Sequence, residues 1–365
     1  NKMKDTFSSD EIVSHQQYTG DTYGVGKTQG QINGEVSPGT YAALLGSLLR
    51  ADFATVTAMS GLSITIAGAG PYTLTRSAGS FLTDGVKIGM VVRITAGTYT
   101  GTARDINLVV TGVTATVLTV LVANGSALTA QGPIASSTVS VIGKKSAVPS
   151  TGHTNDYYTF EEWYSDLTRS RVYSDVQIAS ADIAIPATGN ATIQLSALGL
   201  SRTKGASQIL TSPTAETTTS ILAAANAMIL VNGTRTLVGT SLSIKIDGQL
   251  QHGDAVIGSN SLSDMVKGDI KVTGTLTHQY DAETISDLFD NETPVAVIGV
   301  LFDGTAADAD FIGFTIPRVK FMKDDIDDGK KQLVMTLDFT AERNSAGGTG
   351  IANDSGICTI QDSDA

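Results

Sequence analysis

The feature that most limits how this chain can fold is a two-residue hydrophobic repeat. Leu62, Ile64 and Ile66 alternate with Ser63 and Thr65, and Leu242, Ile244 and Ile246 alternate with Ser243, Lys245 and Asp247. Successive side chains of a strand point to opposite faces, so such runs predict half-buried β-strands. Turn formers separate them, as at Thr83-Asp84-Gly85 and Ala123-Asn124-Gly125. Many short strands with turns between them predict a mainly β protein. Charged residues are only 16% of the chain, against about 25% in an average soluble domain. Thr, Ser, Asn, Gln and Gly must then supply the polar surface, which suits strands and turns better than surface helices. A surface so poor in charge also costs little to bury against copies of itself.

At 365 residues the chain exceeds one ordinary core, and its texture divides it. Residues 1–56 with 148–202 are predicted as a first unit. Gly30–Val36 reads as a strand, and Ser37-Pro38-Gly39-Thr40 opens a helix with Ser37 as N-cap and Pro38 in the first helical position. Tyr41, Leu44, Leu45, Leu48 and Leu49 make its apolar stripe. Residues 57–147, rich in Thr, Val, Gly and Ala, are predicted as an inserted all-β domain, a small barrel or an Ig-like sandwich. Residues 203–240 read as a connecting loop and strand, with a long loop at Thr203–Thr219 and a short helix at Ile221–Ala227. Residues 241–345 form a second unit. Its helix is opened by Asp281 and carries Ile285, Leu288 and Phe289 on one face, and its last two strands make a long hairpin turned at Asp324–Gly329. Residues 346–365 read as a polar C-terminal tail holding the one cysteine, Cys358, so stability rests on packing and not on an internal disulfide.

The two units share an order: a strand with Gly-x-Val or Gly-x-Leu, a short amphipathic helix, then paired strands. Gly34-Glu35-Val36 answers to Gly274-Thr275-Leu276, and Tyr41/Leu44/Leu45 to Ile285/Leu288/Phe289. Ile183–Ile185 with Ile193–Leu195 answers to Val319–Phe321 with Leu333–Met335. The pattern predicts an ancestral duplication, with residues 57–147 inserted after the first unit's helix.

Catalytic and metal chemistry find no foothold. His15, His153, His252 and His278 have no second ligand at metal spacing and read as surface or loop imidazoles. Gly24-Val25-Gly26-Lys27-Thr28 resembles the end of a phosphate loop but has Asp21 where that motif needs glycine, so it reads as a glycine-rich loop. The acidic run Asp324, Asp325, Asp327 and Asp328 fails the EF-hand pattern at Ile326 and Met335. Glu161 and Glu162 are adjacent, which on a strand sends them to opposite faces. No cofactor or metal is implied, and an enzyme is not expected. The net charge of −12 carries no basic stripe of the kind that grips nucleic acid. No apolar run reaches the ~18 residues of a membrane span. The polar start, Asn1–Asp10, lacks a signal-peptide core, so synthesis in the cytoplasm is expected.

The stretch Gln29–Leu49, with its Gly-x-[hydrophobic]-Ser-Pro turn ahead of a Leu-Leu helix, resembles the opening of the tail tube proteins of long-tailed, siphovirus-like bacteriophages. The aromatic block Tyr157–Trp163 followed by Val176–Leu195 looks like their continuation, and Ser241–Glu342 is similar to their second half. Val86–Ile94 with Val110–Val120 resembles a small β-barrel often inserted in phage tail proteins. The resemblance implies two tail-tube β-sandwich or barrel units, each with a short helix, and an inserted decoration domain on the outside. It implies a virion structural protein, made in the host cytoplasm, whose rings stack around a lumen that conducts DNA without specific binding. Three two-unit copies would complete a pseudo-six-fold ring, and six copies would be needed if the C-terminal part is not a full unit. Tail terminator and tape-measure type proteins are the partners it implies. An acidic or neutral wall would let DNA slide. Lys245, Asp247, Gln249, Asp175 and Gln177 are the lumen candidates, and Asp324, Asp325, Asp327 and Asp328 with the Thr203–Thr219 loop are the ring-stacking candidates. The competing reading is a secreted or cell-surface β-rich adhesin or surface-layer protein. A carbohydrate-active enzyme on a β scaffold would need carboxylates clustered in a cleft.

Overall fold

A computed structural model describes residues 1–213, 215, 217–280, 285–327 and 333–365, with the backbone alone at Asp324. Along the chain, β1 (Lys2–Ser8) and β2 (Asp21–Glu35) form a hairpin, and α1 (Ala42–Leu49) follows. β3 (Met59–Ala67), β4 (Tyr72–Arg76), β5 (Val91–Ala96), β6 (Leu108–Val113), β7 (Val117–Val122) and β8 (Gln131–Val141) close into a barrel in the order β3-β4-β7-β6-β5-β8. β9 (Lys144–Ala147), β10 (Tyr158–Tyr164), β11 (Arg169–Ile185), β12 (Thr192–Gly199) and β13 (Ser201–Gly205) come next. Then come β14 (Ala227–Val231), β15 (Thr234–Arg235), β16 (Gly239–Asp247), β17 (Leu250–His252), β18 (Met265–Lys267) and β19 (Lys271–Gln279). α2 (Ser286–Asp290), β20 (Val295–Phe302), β21 (Phe311–Asp327), β22 (Val334–Ala341) and β23 (Thr359–Asp362) complete the order. The fold is mainly β, as the two-residue repeat predicts.

One sheet runs β1-β2-β12-β11-β16-β19-β22-β21-β20-β14-β15, and its pairing scheme occurs twice. In the first half β2 pairs β12 and β12 pairs β11. In the second, β19 pairs β22 and β22 pairs β21. The long strands β11 and β21 each serve two layers. The first part of β11 pairs β10 and β13, and its last part pairs β12 and β16. The first part of β21 pairs β20 and β23, and its last part pairs β22. Gly34 stands beside Ile193, which faces Ile183; Gly274 stands beside Phe339, which faces Phe321. Ile193 therefore corresponds to Phe339 and not to Leu333, and Ile183 to Phe321. The expected match chose residues next to each turn, but the β21–β22 hairpin is the longer one, so its turn is no landmark.

Between the layers lies the main core, including Ile183, Ile193, Ile244, Leu276, Phe314 and Phe339. Leu45 and Leu48 of α1 are buried in it, while Tyr41 and Leu44 pack half-buried at its margin. In α2 no described residue is buried, and Ile285, Leu288 and Phe289 pack half-buried against the same core. The barrel has its own core and docks through a third cluster, in which Val91 and Val109 meet Met228, Leu230, Ile298, Val300, Phe302 and Phe311. On β20, Val295, Val297 and Leu301 face the main core while Ile298, Val300 and Phe302 face the barrel. The layer made by β20, β14 and the first part of β21, with β10 and β13 on the first part of β11, is the outer one. The barrel sits on its far side, beyond the main core. Gln361 secures it: its amide accepts from Val91 N–H at 2.8 Å and donates to the carbonyls of Val91 and Ile142 at 3.0 and 2.7 Å.

Several expectations change. α1 begins at Ala42 with no side-chain cap. Residues 38–41 form a turn instead, in which Gly39 takes a positive φ and donates its N–H to Asp362. Gly24–Thr28 lies inside β2 and is no loop, because β1 supplies its hydrogen bonds. Ser201–Gly205 is a strand, and Ile221–Ala227 holds only a 3-10 turn at Ala224–Asn226. The strand β21 runs through Asp327, past the expected turn at Asp324. Residues 346–365 are no free tail: β23 bridges β21 and β9, and Cys358 and Asp362 are fully buried. Burial pushes the Cys358 thiol up to about 12. His278 is buried, with Nδ1 against the Gln279 carbonyl. Asp281 and Asp328 lie outside the described residues.

Candidate functional site

Across β2, β12, β11, β16, β19, β22 and the end of β21, neighbouring strands are antiparallel and register-matched. Alternation then sorts side chains into two sets. One set is the apolar row facing the core. The other is a continuous polar face: Gln31, Asn33 and Glu35 on β2, Gln194 on β12, Asp182 on β11, Ser243 and Lys245 on β16, Thr273 and Thr275 on β19, and Asp338 and Thr340 on β22. The face is dished where the halves meet, over Asn33, Glu35, Asp182, Gln194, Ser243 and Lys245.

Its polar groups satisfy one another laterally. Gln194 Nε2 donates to Asn33 Oδ1 at 2.9 Å, and the Thr275 hydroxyl donates to Asp338 at 2.8 Å. Lys245 lies 3.6 Å from Asp182 on the next strand. Arg318 and Lys320 both reach Glu342 at 3.0 Å, and Arg318 first, then Lys320, hold that carboxyl below the usual range. Cations are interleaved with acids, so no basic track forms along the strands.

Of the five lumen candidates, Lys245 is exposed on this face and Asp247, half-buried beside it, accepts the Gln249 N–H at 2.8 Å. Gln249 has a positive φ where β16 gives way to β17, and exposed Asp175 has one where β11 bends. Gln177 must be withdrawn: it is buried and donates to Asn155 Oδ1 at 3.1 Å. The register of β11 slips between Ile178 and Ser180, and a one-residue slip reverses which face a side chain takes. The alternation counted from Ile178 therefore misses Asp182, although the run Ile183-Ala184-Ile185 could have pointed to it.

Both edges of this face are unpaired among the described residues. Gly30–Glu35 of β2 pairs only with β12, and β21 beyond Val319 pairs only with β22. Exposed strand edges are aggregation hazards unless something covers them. The β21–β22 hairpin also projects six residues past Phe321, with Asp327 opposite Val334. Asp325 and Asp327 are exposed there, Asp325 pairs with Lys323 at 2.6 Å, and exposed Met322, Ile326 and Leu333 lie among them.

The profile of a family described as phage tail tube protein matches residues 3–342. The chain belongs to that family. No curated protein matches it. The tail tube protein is a structural component of the virion tail, and membership implies self-assembly into a tube with other tail proteins. No helix among the described residues is long and apolar enough to cross a membrane.

Proposed function

We propose that this tail tube subunit closes into rings of three copies, each contributing two tube units, and that the rings stack around a lumen lined by the polar sheet face. The observation that carries the reading is the doubled strand scheme sharing one uninterrupted polar face with both edges open. Closure would consume the edges, since only a closed barrel has none. Two units per copy favour three copies over six for a six-fold tube.

DNA carries about one negative charge per 1.7 Å of axis. A wall of Thr, Gln, Asn and Ser with acid-matched lysines, such as Lys245 with Asp182, offers it neither a trap nor a specific contact, so DNA slides through. The barrel decorates the outside, a placement supported by its docking on the far side of the outer layer. The projecting hairpin that carries Asp325 and Asp327 meets the next ring, together with the loop that follows β13. Tail terminator and tape-measure type proteins meet the ends and the lumen. A role in the tube wall, not in catalysis, follows. Electron microscopy of the purified chain with mass measurement of its smallest ring tests the reading. Three-copy rings with a central hole are expected; monomers persisting at high concentration would overturn it.

A further inference from the structure

We infer that the β1–β2 arm of each copy docks on the second half of the neighbouring copy, in the groove between Pro294–Ala296 and Pro317–Arg318. The inference rests on the ring reading and names the surfaces that meet.

The chain contains its own template for this contact. In the second half, β17 and β18 carry the β16–β19 hairpin onward as an arm, with Leu250 opposite Lys267. That arm lies on the first half. Gly248 N–H donates to the Ala179 carbonyl at 2.8 Å, His252 Nε2 lies 3.2 Å from the Gly199 carbonyl, and the Tyr157 hydroxyl donates to Asp264 at 3.0 Å. Arg50, the left-handed residue closing α1, holds its base by donating to the Gly248 and Gly268 carbonyls at 3.1 and 2.5 Å.

The first half has the same arm. Because Gly34 and Gly274 are equivalent, Lys27 falls on Lys267, and β1 with Asp21–Thr28 of β2 takes the place of β17 with β18. This arm is bare. Every residue of β1 is exposed, and Phe7 and Tyr23 leave 62% and 74% of their surface in solvent. Exposed Ile12 and Tyr18 lie at its tip. Lys4 of the same arm stands 5.4 Å over the Tyr23 ring. Two large aromatics so exposed on a thin two-stranded ribbon are an interaction surface that no described residue outside the arm covers.

The receiving site also has an equivalent. Ile183 matches Phe321 and Ile193 matches Phe339, so Ala179 corresponds to Pro317, Ser180 to Arg318 and Leu198 to Asn344. Where the first half receives an arm, the second half presents an open groove lined by Pro294, Val295, Ala296, Pro317, Arg318 and Asn344. In a ring the next copy's first half stands beside this second half as the second half stands beside the first within one chain. The arm is thereby carried to the groove, and a second copy is its occupant.

The test uses the full chain with Tyr23→Cys and Ala296→Cys together, treated with a short bis-maleimide. Cys358 is buried and stays unmodified. The expected result is a covalent ladder ending at the ring's copy number, absent from either single variant. A second variant, Phe7→Ser with Tyr23→Ser, alters two exposed side chains and should keep the wild-type melting temperature yet lose ring assembly. Wild-type rings that yield no ladder, or full assembly by the serine variant, would overturn the arm assignment and leave the ring reading standing. A wild-type chain that never forms rings would overturn both. If the cysteine pair itself blocks assembly, the serine variant decides.

Discussion

The two halves share a strand scheme but are stabilised differently. The first rests on its helix: Leu45 and Leu49 of α1 are fully buried against β11 and its neighbours. The second has a short α2 with no described residue buried, yet its outer layer is covered on both faces, by the main core and by the barrel. The barrel departs from the first half in sequence and supports the second in space. Arg93 ties the two, donating to the Asp308 and Ala309 carbonyls at 2.9 and 3.2 Å, with burial the main cause of its lowered pKa. One half has a buried helix and a bare outer layer, the other a half-buried helix and a covered one.

The largest test of this contrast is the same substitution in each helix. Leu45→Asp puts an unpaired charge in a fully buried site, which should cost more than ~4 kcal/mol and unfold the first half. Leu288→Asp, at a half-buried site, should cost about 1–2 kcal/mol. Denaturant unfolding followed by far-ultraviolet circular dichroism, which reports on the strands of both halves, measures both. Equal losses would mean that the helices bear equal weight.

A smaller effect separates the equivalent glycines. A Cβ on Gly274 would strike the Ser243 carbonyl and the Phe339 ring, and β16 cannot retreat without breaking its ladder. Gly274→Ala should cost about 1–3 kcal/mol through overpacking. A Cβ on Gly34 meets only the hydroxyl end of the Tyr41 side chain, which can swing aside. Gly34→Ala should fall below ~1 kcal/mol, since alanine also restricts the unfolded chain. Melting curves of the two variants rank them, and a costlier Gly34→Ala would break the assignment of these glycines to rigid and yielding surroundings.

The same contrast explains what the sequence made legible. Strands with one polar face announce themselves by alternation, as Leu242–Asp247 does, and the glycine-strand-helix order exposed the repeat. Alternation fails where polar residues are buried by distant partners. Thr359, Gln361 and Asp362 read as a tail, yet Gln361 serves Val91 and Ile142 and Asp362 receives the Gly39 N–H. Nothing local marks those partners. It fails again at bulges: the slip near Ala179 buries Gln177 and leaves the face to Asp182. Lys245 and Asp247 on β16, whose slip falls earlier, between Gly239 and Ser241, stayed on the face that alternation gave them; Gln177 on β11 did not.

The smallest expected effect concerns a contact in the first half's outer layer. Glu161 on β10 accepts the N–H groups of Ile209 and Leu210 at 2.9 and 2.7 Å, pinning the loop that follows β13. These backbone donors, Ile209 first, hold its carboxyl below the usual range. The folded pKa is depressed, so the stabilisation is fully present above the unfolded value of about 4.3 and is lost as pH falls through the folded value. Hydrogen exchange should therefore show Ile209 and Leu210 losing protection at acid pH while Ile298 and Val300, buried under the barrel, keep theirs. Glu161→Gln should loosen the same two amides at neutral pH without changing the melting temperature. Protection that survives in this variant would mean that the loop is held by its neighbours, and that the first half's outer layer is less bare than its open edges indicate.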